Sequence, residues 1–374
     1  MAKSNVQIPY VGGQAVLEGV MMRAPGSFAV AVRRKDGTLQ LRERAMVDSR
    51  TGVARWPLVR GLSSLVESLR LGGEALRFSA EKMEEDMLQA PSTTAGAAGP
   101  GLLVAFGLTV FALATDDGSG TSASPRSPRA SSAGAGQWVM LAMAIAFFIA
   151  LPQAAAAATN RIFHLGLEIQ SPGFQAMTGS LKLVIVVGYL LAIRRVPDIR
   201  RVFQYHGAEH KTISAYEAGE ALTVANARIK TTLHARCGTT FLVMVALVSI
   251  AVFTIIGAAL PRIHTGSVVA DNLVFLAEKL PFLPVLAGIT FEIQRLLARY
   301  CATGPLRALL WPGFVVQKIT TAEPDDAQLE VALASLRATL FRQGSRGVGG
   351  DDGRDVAFPS YEALAGATEL RAIA

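Results

Sequence analysis

The spacing of hydrophobic and polar positions changes along the chain, and the changes divide it into regions. A short apolar run at 28–32 has strand character. It is followed by the turn signal Lys35-Asp36-Gly37-Thr38 and a second run at 39–41, which predicts a small β-hairpin element within residues 1–56. After Pro57, at a first helical position, Leu58, Leu62, Leu65, Val66, Leu69, Leu76 and Phe78 fall near a helical period with Arg and Glu between them. Residues 57–89 are therefore expected to form an amphipathic helix lying on the membrane or on the hairpin.

Beyond it the pattern becomes one of long apolar runs. Residues 87–115 carry no charge and place a first membrane span at 95–114. A Ser-, Gly-, Pro- and Ala-rich stretch at 116–136 reads as a solvent loop, and 137–158 as a second span. The third run, 181–193, is short, contains Lys182, and spans only if residues 176–181 join it. The fourth, 237–261, is free of charge and is the clearest. The fifth, 273–291, carries Glu278, Lys279, Pro281 and Pro284, which suits a kinked helix facing protein or water. The membrane domain thus covers 95–291, with four to five segments. Residues 292–342 are expected to be amphipathic helices. Pro324-Asp325-Asp326 starts one whose Leu329, Val331, Leu333, Leu336 and Leu340 should dock on the protein's own cytoplasmic surface. Residues 343–374, with the glycines of 347–353, are expected to be a flexible tail.

Composition supports this reading. The chain is 51% hydrophobic, only 17% charged, and has a mean hydropathy of +0.37, whereas soluble domains average about 25% charged residues. The fold class is therefore mainly α, a polytopic helical membrane protein with a small N-terminal β element; a disordered, collagenous or disulfide-rich secreted chain is excluded. The net charge of +7 lies beside hydrophobic segments and no basic-aromatic module accompanies it, so membrane lipid is the expected partner and nucleic acid is not. Residues 1–10 lack a signal-peptide pattern, and the N-terminus is expected in the cytoplasm. Lys and Arg number thirteen in residues 1–96 and eight in 194–236, against one in 262–272, so both basic regions should face the cytoplasm. Three crossings between them would separate them. The favoured resolution is that the Lys182-bearing run is re-entrant or a half-helix.

The candidate chemistry lies at 194–238. Tyr205-His206-Gly207-Ala208-Glu209-His210-Lys211 contains an HxxEH pattern, the reverse of the HExxH zinc motif. On a helix, His206 and His210 stand one above the other and can offer two imidazoles to one divalent metal, zinc being the expected ion, with Glu209 as general base. A third ligand is needed. His234 and Cys237 form an HxxC pair, and Glu217 lies two helical turns after His210; both His234 and Cys237 together would make a closed, structural site, and the spacing does not choose among them. The non-metal alternative has the histidines bonding carboxylates or headgroups. His164 and His264 look unconnected, and Cys301 reads as a buried small apolar residue. Gly12-Gly13 and Gly19 make neither a dinucleotide fingerprint nor a P-loop and are expected to allow tight turns or close packing, while Glu18 and Arg23 are expected to form an internal ion pair.

Several blocks resemble the YqhQ-like family of bacterial membrane proteins of unknown function. They are 12–23, opening Gly12-Gly13-Gln14 and closing Met21-Met22-Arg23; 57–61; 197–212, around the HxxEH pattern; 215–217; 222–224; Arg236-Cys237-Gly238-Thr239; and 320–332, opening Thr320-Thr321-Ala322-Glu323-Pro324. The resemblance covers about residues 10–340. It implies a membrane-bound, metal-dependent protein of the bacterial inner (cytoplasmic) membrane, multi-pass, with no assigned substrate. The chain departs from the family at Ala235, where proline is common, and in the 116–136 stretch, neither of which touches a proposed ligand. The expected function is a metal-dependent hydrolase acting at the cytoplasmic membrane surface on a lipid-linked or peptide bond, with a non-enzymatic scaffold, assembly factor or transporter as the alternative.

Overall fold

The computed structural model describes residues 9–46, 52, 56–89, 146–261, 265–301, 304–344 and 353–367. Five strands, β1 (Gly12–Val16), β2 (Gly19–Ala24), β3 (Ser27–Arg33), β4 (Leu39–Ala45) and β5 (Arg354–Phe358), form one antiparallel sheet in the order β1-β2-β3-β4-β5. The predicted hairpin is β3–β4, with Ala31 opposite Leu41 and Gly37 at φ +88° in its turn. The sheet has apolar residues on both faces. Val20, Met22, Ala29 and Ala31 face one core, while Val16, Met21, Phe28, Val30 and Val32 face another. The period of two assigns successive residues to opposite faces, so burial on both sides makes β2 and β3 read as continuous apolar runs.

The second core is closed by α1 (Val59–Gln89), whose Leu71, Ala75 and Phe78 cover the sheet. The first half of the same helix leaves Val59, Leu62 and Val66 exposed beside Trp56 and Leu58, and Arg60 forms a two-pronged ion pair with Glu292. The two halves of α1 therefore have different neighbours, the sheet for one and the apolar helices for the other. Glu18 and Arg23 do not pair as expected: Arg23 bonds Glu67, and Glu18 bonds Arg201 and Tyr205. The strand alternation explains this, because 18 lies in the β1–β2 turn, at φ +50°, and 23 points to the α1 side.

A π-helical turn at Ala146–Ala150 leads into α2 (Leu151–Ile162), followed by α3 (Pro172–Ile193), α4 (Pro197–Glu217), the short α5 (Val224–Arg228) and α6 (Gly238–Ile256). Next come α7 (Val268–Lys279), a 3-10 turn at Leu280–Phe282, and α8 (Leu283–Tyr300). Among the described residues, three helical stretches are long and apolar enough to cross a membrane: Pro172–Ile193, Gly238–Ile256 and Val269–Tyr300. The protein is mainly helical with an N-terminal β sheet. Residues 172–180 join the third apolar run, because Ser171 caps the N-terminus of α3 by accepting from the Phe174 N–H. The half-helix expected there is therefore corrected to one unbroken helix of 22 residues. In the fifth run a 3-10 turn at Leu280–Phe282, which holds Pro281, separates α7 from α8, and Lys279 is buried, bonding Gln175. The first span, the 116–136 loop, residues 137–145 of the second span, and His264 lie outside the described residues.

After a 3-10 segment (Pro305–Leu310) come α9 (Trp311–Thr320) and α10 (Asp326–Gly344). Helix α10 docks on the protein's own sheet and on α4, with Ser335 and Thr339 donating to the carbonyls of Ala29 and Met22. The flexible tail expected over 343–374 is corrected for 354–366, which form β5 and α11 (Tyr361–Gly366). Their anchors are Arg42 bonding Asp355 through two prongs of 2.8 Å and Arg354 reaching the buried Glu43 carboxylate. The sheet thereby seats against α4, at the end of the helical bundle where α3 stops, α6 starts and the Gln294 amide of α8 donates to the Cys237 carbonyl.

Candidate metal centre

The HxxEH residues sit in the middle of α4, whose start follows from Pro197 at its first turn and Asp198 near its positive end. Glu209 and His210 are 5% and 1% exposed, and His206 is half-buried. The two imidazoles stack edge to face with centroids 4.4 Å apart, as residues four apart on one helix should.

Backbone carbonyls fix the orientation of both rings. His206 Nδ1 lies 2.9 Å from the Thr320 carbonyl oxygen, and His210 Nδ1 lies 2.5 Å from that of Thr232. A carbonyl can only accept, so each Nδ1 carries a proton and each Nε2 faces inward. His206 Nε2 is 3.1 Å from Cys237 Sγ, whereas His210 Nε2 is buried without a hydrogen-bond partner among the described residues. The ligand atoms of His206, His210 and Cys237 all lie within 4.8 Å of one another. Cys237 reaches this point as the N-cap of α6, where its sulfur also accepts from the Thr239 N–H.

The other proposed ligands stand to the side. His234 Nε2 is 3.3 Å from Glu217 Oε2, and Glu217 also pairs with Arg236. Glu217 is thus engaged by His234 and Arg236 and is not among the residues whose ligand atoms converge with those of His206 and His210. The His234 ring remains 5.6 Å from that of His210, and its backbone N–H bonds Gln317, whose amide also donates to the His234 carbonyl and to Thr240. Among the five candidates, Cys237 is the one that the fold brings to His206 and His210. His164 lies at the opposite end of the bundle, after α2.

The charges are strongly coupled. Burial opposes ionisation of the Cys237 thiol, yet the His206 and His210 imidazoles outweigh it and hold the thiol well below its ordinary range. Burial pushes the His206 imidazole down, but the sulfur beside it lifts it to about 9. Burial raises the Glu209 carboxyl and lowers His234. Glu209 Oε2 has no partner among the described residues, and its side chain fills the space above Gly13, where a Cβ would lie 2.8 Å from Glu209 Cγ. The glycine pair of β1 thus serves close packing against the HxxEH helix. The Thr232 and Thr320 carbonyls are the partners that sequence reasoning missed, since a backbone oxygen leaves no residue-type signal.

A donor set of two tautomer-fixed imidazole nitrogens and one thiolate sulfur fits a borderline-soft divalent ion such as zinc, and the orphaned His210 Nε2 supplies the donor such an ion requires.

Comparison with known proteins sets these residues in context. The family described as protein of unknown function DUF1385 matches residues 56–342, which include the whole cluster. The chain is 30% identical over 348 residues to the uncharacterized protein YqhQ of Bacillus subtilis (strain 168), covering 91% of this chain and 95% of that protein. No solved structure matches it.

Proposed function

The chain belongs to the DUF1385 family of proteins of unknown function, and from its own site we propose that it is a metal-dependent hydrolase of the cytoplasmic membrane surface. The observation that carries the reading is the buried, partnerless His210 Nε2 facing the same point as His206 Nε2 and Cys237 Sγ. His206, His210 and Cys237 would hold the ion, three protein ligands being the number catalytic zinc usually takes. A bound divalent ion supplies Lewis-acid polarisation of a substrate oxygen and the acidification of water. Glu209 is the general base. Burial raises its carboxyl despite the nearby imidazoles, so it can take a proton from water and return it to the leaving group. Thr320 and Thr232 keep the two rings in the ligating tautomer. His234 and Glu217, bonded to each other beside the cluster, position the loop that carries Cys237.

The proposed setting is a multi-pass protein of the bacterial inner membrane. Two observations support it: the three apolar helices, and the clustering of Arg194, Arg195, Arg295 and Arg299 at the ends of α3 and α8 next to the site, as the positive-inside rule expects of a cytoplasmic face. Among the described residues, a transport reading is favoured by Lys279, buried among Gln175, Gln153 and the rings of Phe275 and Phe253.

Cobalt substitution tests the proposed ligand set. Co²⁺-loaded protein is expected to show a thiolate-to-metal charge-transfer band that Cys237→Ser abolishes and His234→Ala preserves. A band that survives Cys237→Ser, or Co²⁺ that fails to bind folded protein, contradicts the assignment.

A further inference from the structure

Beside the cluster lies a cavity of about 340 Å³ lined by Leu233, Arg307, Ala308, Trp311, Phe314 and Lys318. Its lining is apolar except for two cations, Arg307 and Lys318. Arg307 lies over the Phe314 ring at 5.3 Å, and among the described residues no carboxylate pairs with Arg307 or Lys318. The cavity borders the proposed metal centre through the chain itself. Leu233 precedes His234, and Lys318 lies on the last turn of α9, whose Thr320 carbonyl orients His206.

The outer surface of this corner is apolar as well. Leu306 and Leu309 are each 55% exposed and Trp311 is 64% exposed. Helix α9 packs against α6, where Gln317 bonds Thr240 at 2.6 Å, so this strip lies level with the first turn of an apolar helix of 19 residues. Trp with Arg and Lys at such a level is the composition of a membrane–water boundary, where the ring and the cationic stems have apolar surroundings and the charges meet headgroups.

We infer that this cavity receives an anionic membrane lipid, with its phosphate between Arg307 and Lys318 and the start of its chain against Trp311, Phe314 and Leu233. The substrate of the adjoining centre is then a phosphate-bearing amphiphile, a step that rests on the metal-hydrolase reading. Charge complementarity selects the occupant. A zwitterionic choline headgroup would bring a third cation to two that lack counter-ions, and a free phosphate would leave the apolar wall uncovered.

The test uses full-length protein in nanodiscs, with Trp56→Phe and Trp138→Phe so that Trp311 is the only tryptophan. Chain-brominated phosphatidylglycerol and phosphatidylcholine are titrated separately as quenchers. Trp311 is expected to prefer the anionic lipid by about tenfold or more, the weight of two juxtamembrane cations, and Arg307→Gln/Lys318→Gln should bring the two curves together. Coincident curves without those substitutions, or a preference that survives them, overturn the inference. Metal content measured on the same samples separates the two readings. Metal without lipid preference overturns the lipid site alone, and lipid preference without metal overturns the substrate step while leaving the lipid site standing.

Discussion

Glu209 shows what the site costs the fold. A carboxylate 5% exposed, with one oxygen unpartnered, is expensive to ionise, and its folded pKa is raised because burial outweighs the nearby imidazoles. A raised folded pKa contributes stability that is fully present below the unfolded value, near 4.5, and is lost as pH rises through the folded value. Metal-free Glu209→Gln, which keeps the shape and removes the charge, should therefore melt above metal-free wild type at pH 7, with the gap closing as pH falls toward 4.5. Calorimetric scans across that range check it, and a variant less stable than wild type at pH 7 would contradict it. Gly13 belongs to the same packing, since the Glu209 side chain occupies the volume a Cβ would need. The HxxEH pairing was legible from residue spacing because it lies within one helix, where position fixes neighbourhood. The choice of Cys237 over His234 or Glu217 was not. It depends on where α9 holds the loop through Gln317, a contact between residues more than 80 positions apart.

Among the elements, α3 differs most from its sequence reading. The apolar run from 181 reads as too short to cross, but the Ser171 cap and Pro172 start the helix nine residues earlier. If α3 crosses completely, the turn before it and the connection after α4 face opposite sides of the membrane. Leu165→Cys should then react with an impermeant maleimide in intact cells and Ala221→Cys only after permeabilisation; both native cysteines are buried. Labelling of both only after permeabilisation would restore the re-entrant reading. Helices α1 and α10 were legible because each carries enough turns for a helical pattern to register. Strands β1 and β5 were not: each has five residues, and β5 holds its place through Arg42 and Glu43, more than 300 positions away.

At the largest scale, the sheet and the HxxEH helix form one body. Glu18 in the β1–β2 turn bonds Arg201 at 2.5 and 2.6 Å, Gly13 lies against Glu209, and α10 rests on both. The described parts of the two basic regions thus pack together, and if the chain crosses a membrane they share one side of it. The functional reading stands or falls on whether this body carries a metal at His206, His210 and Cys237. Elemental analysis of detergent-purified protein, freed of affinity-tag metal and set beside His206→Ala/His210→Ala, decides that question. Near-stoichiometric zinc or another transition metal is expected in wild type, with its loss in the double variant, whereas folded wild type purified without chelator and found free of metal would contradict the assignment.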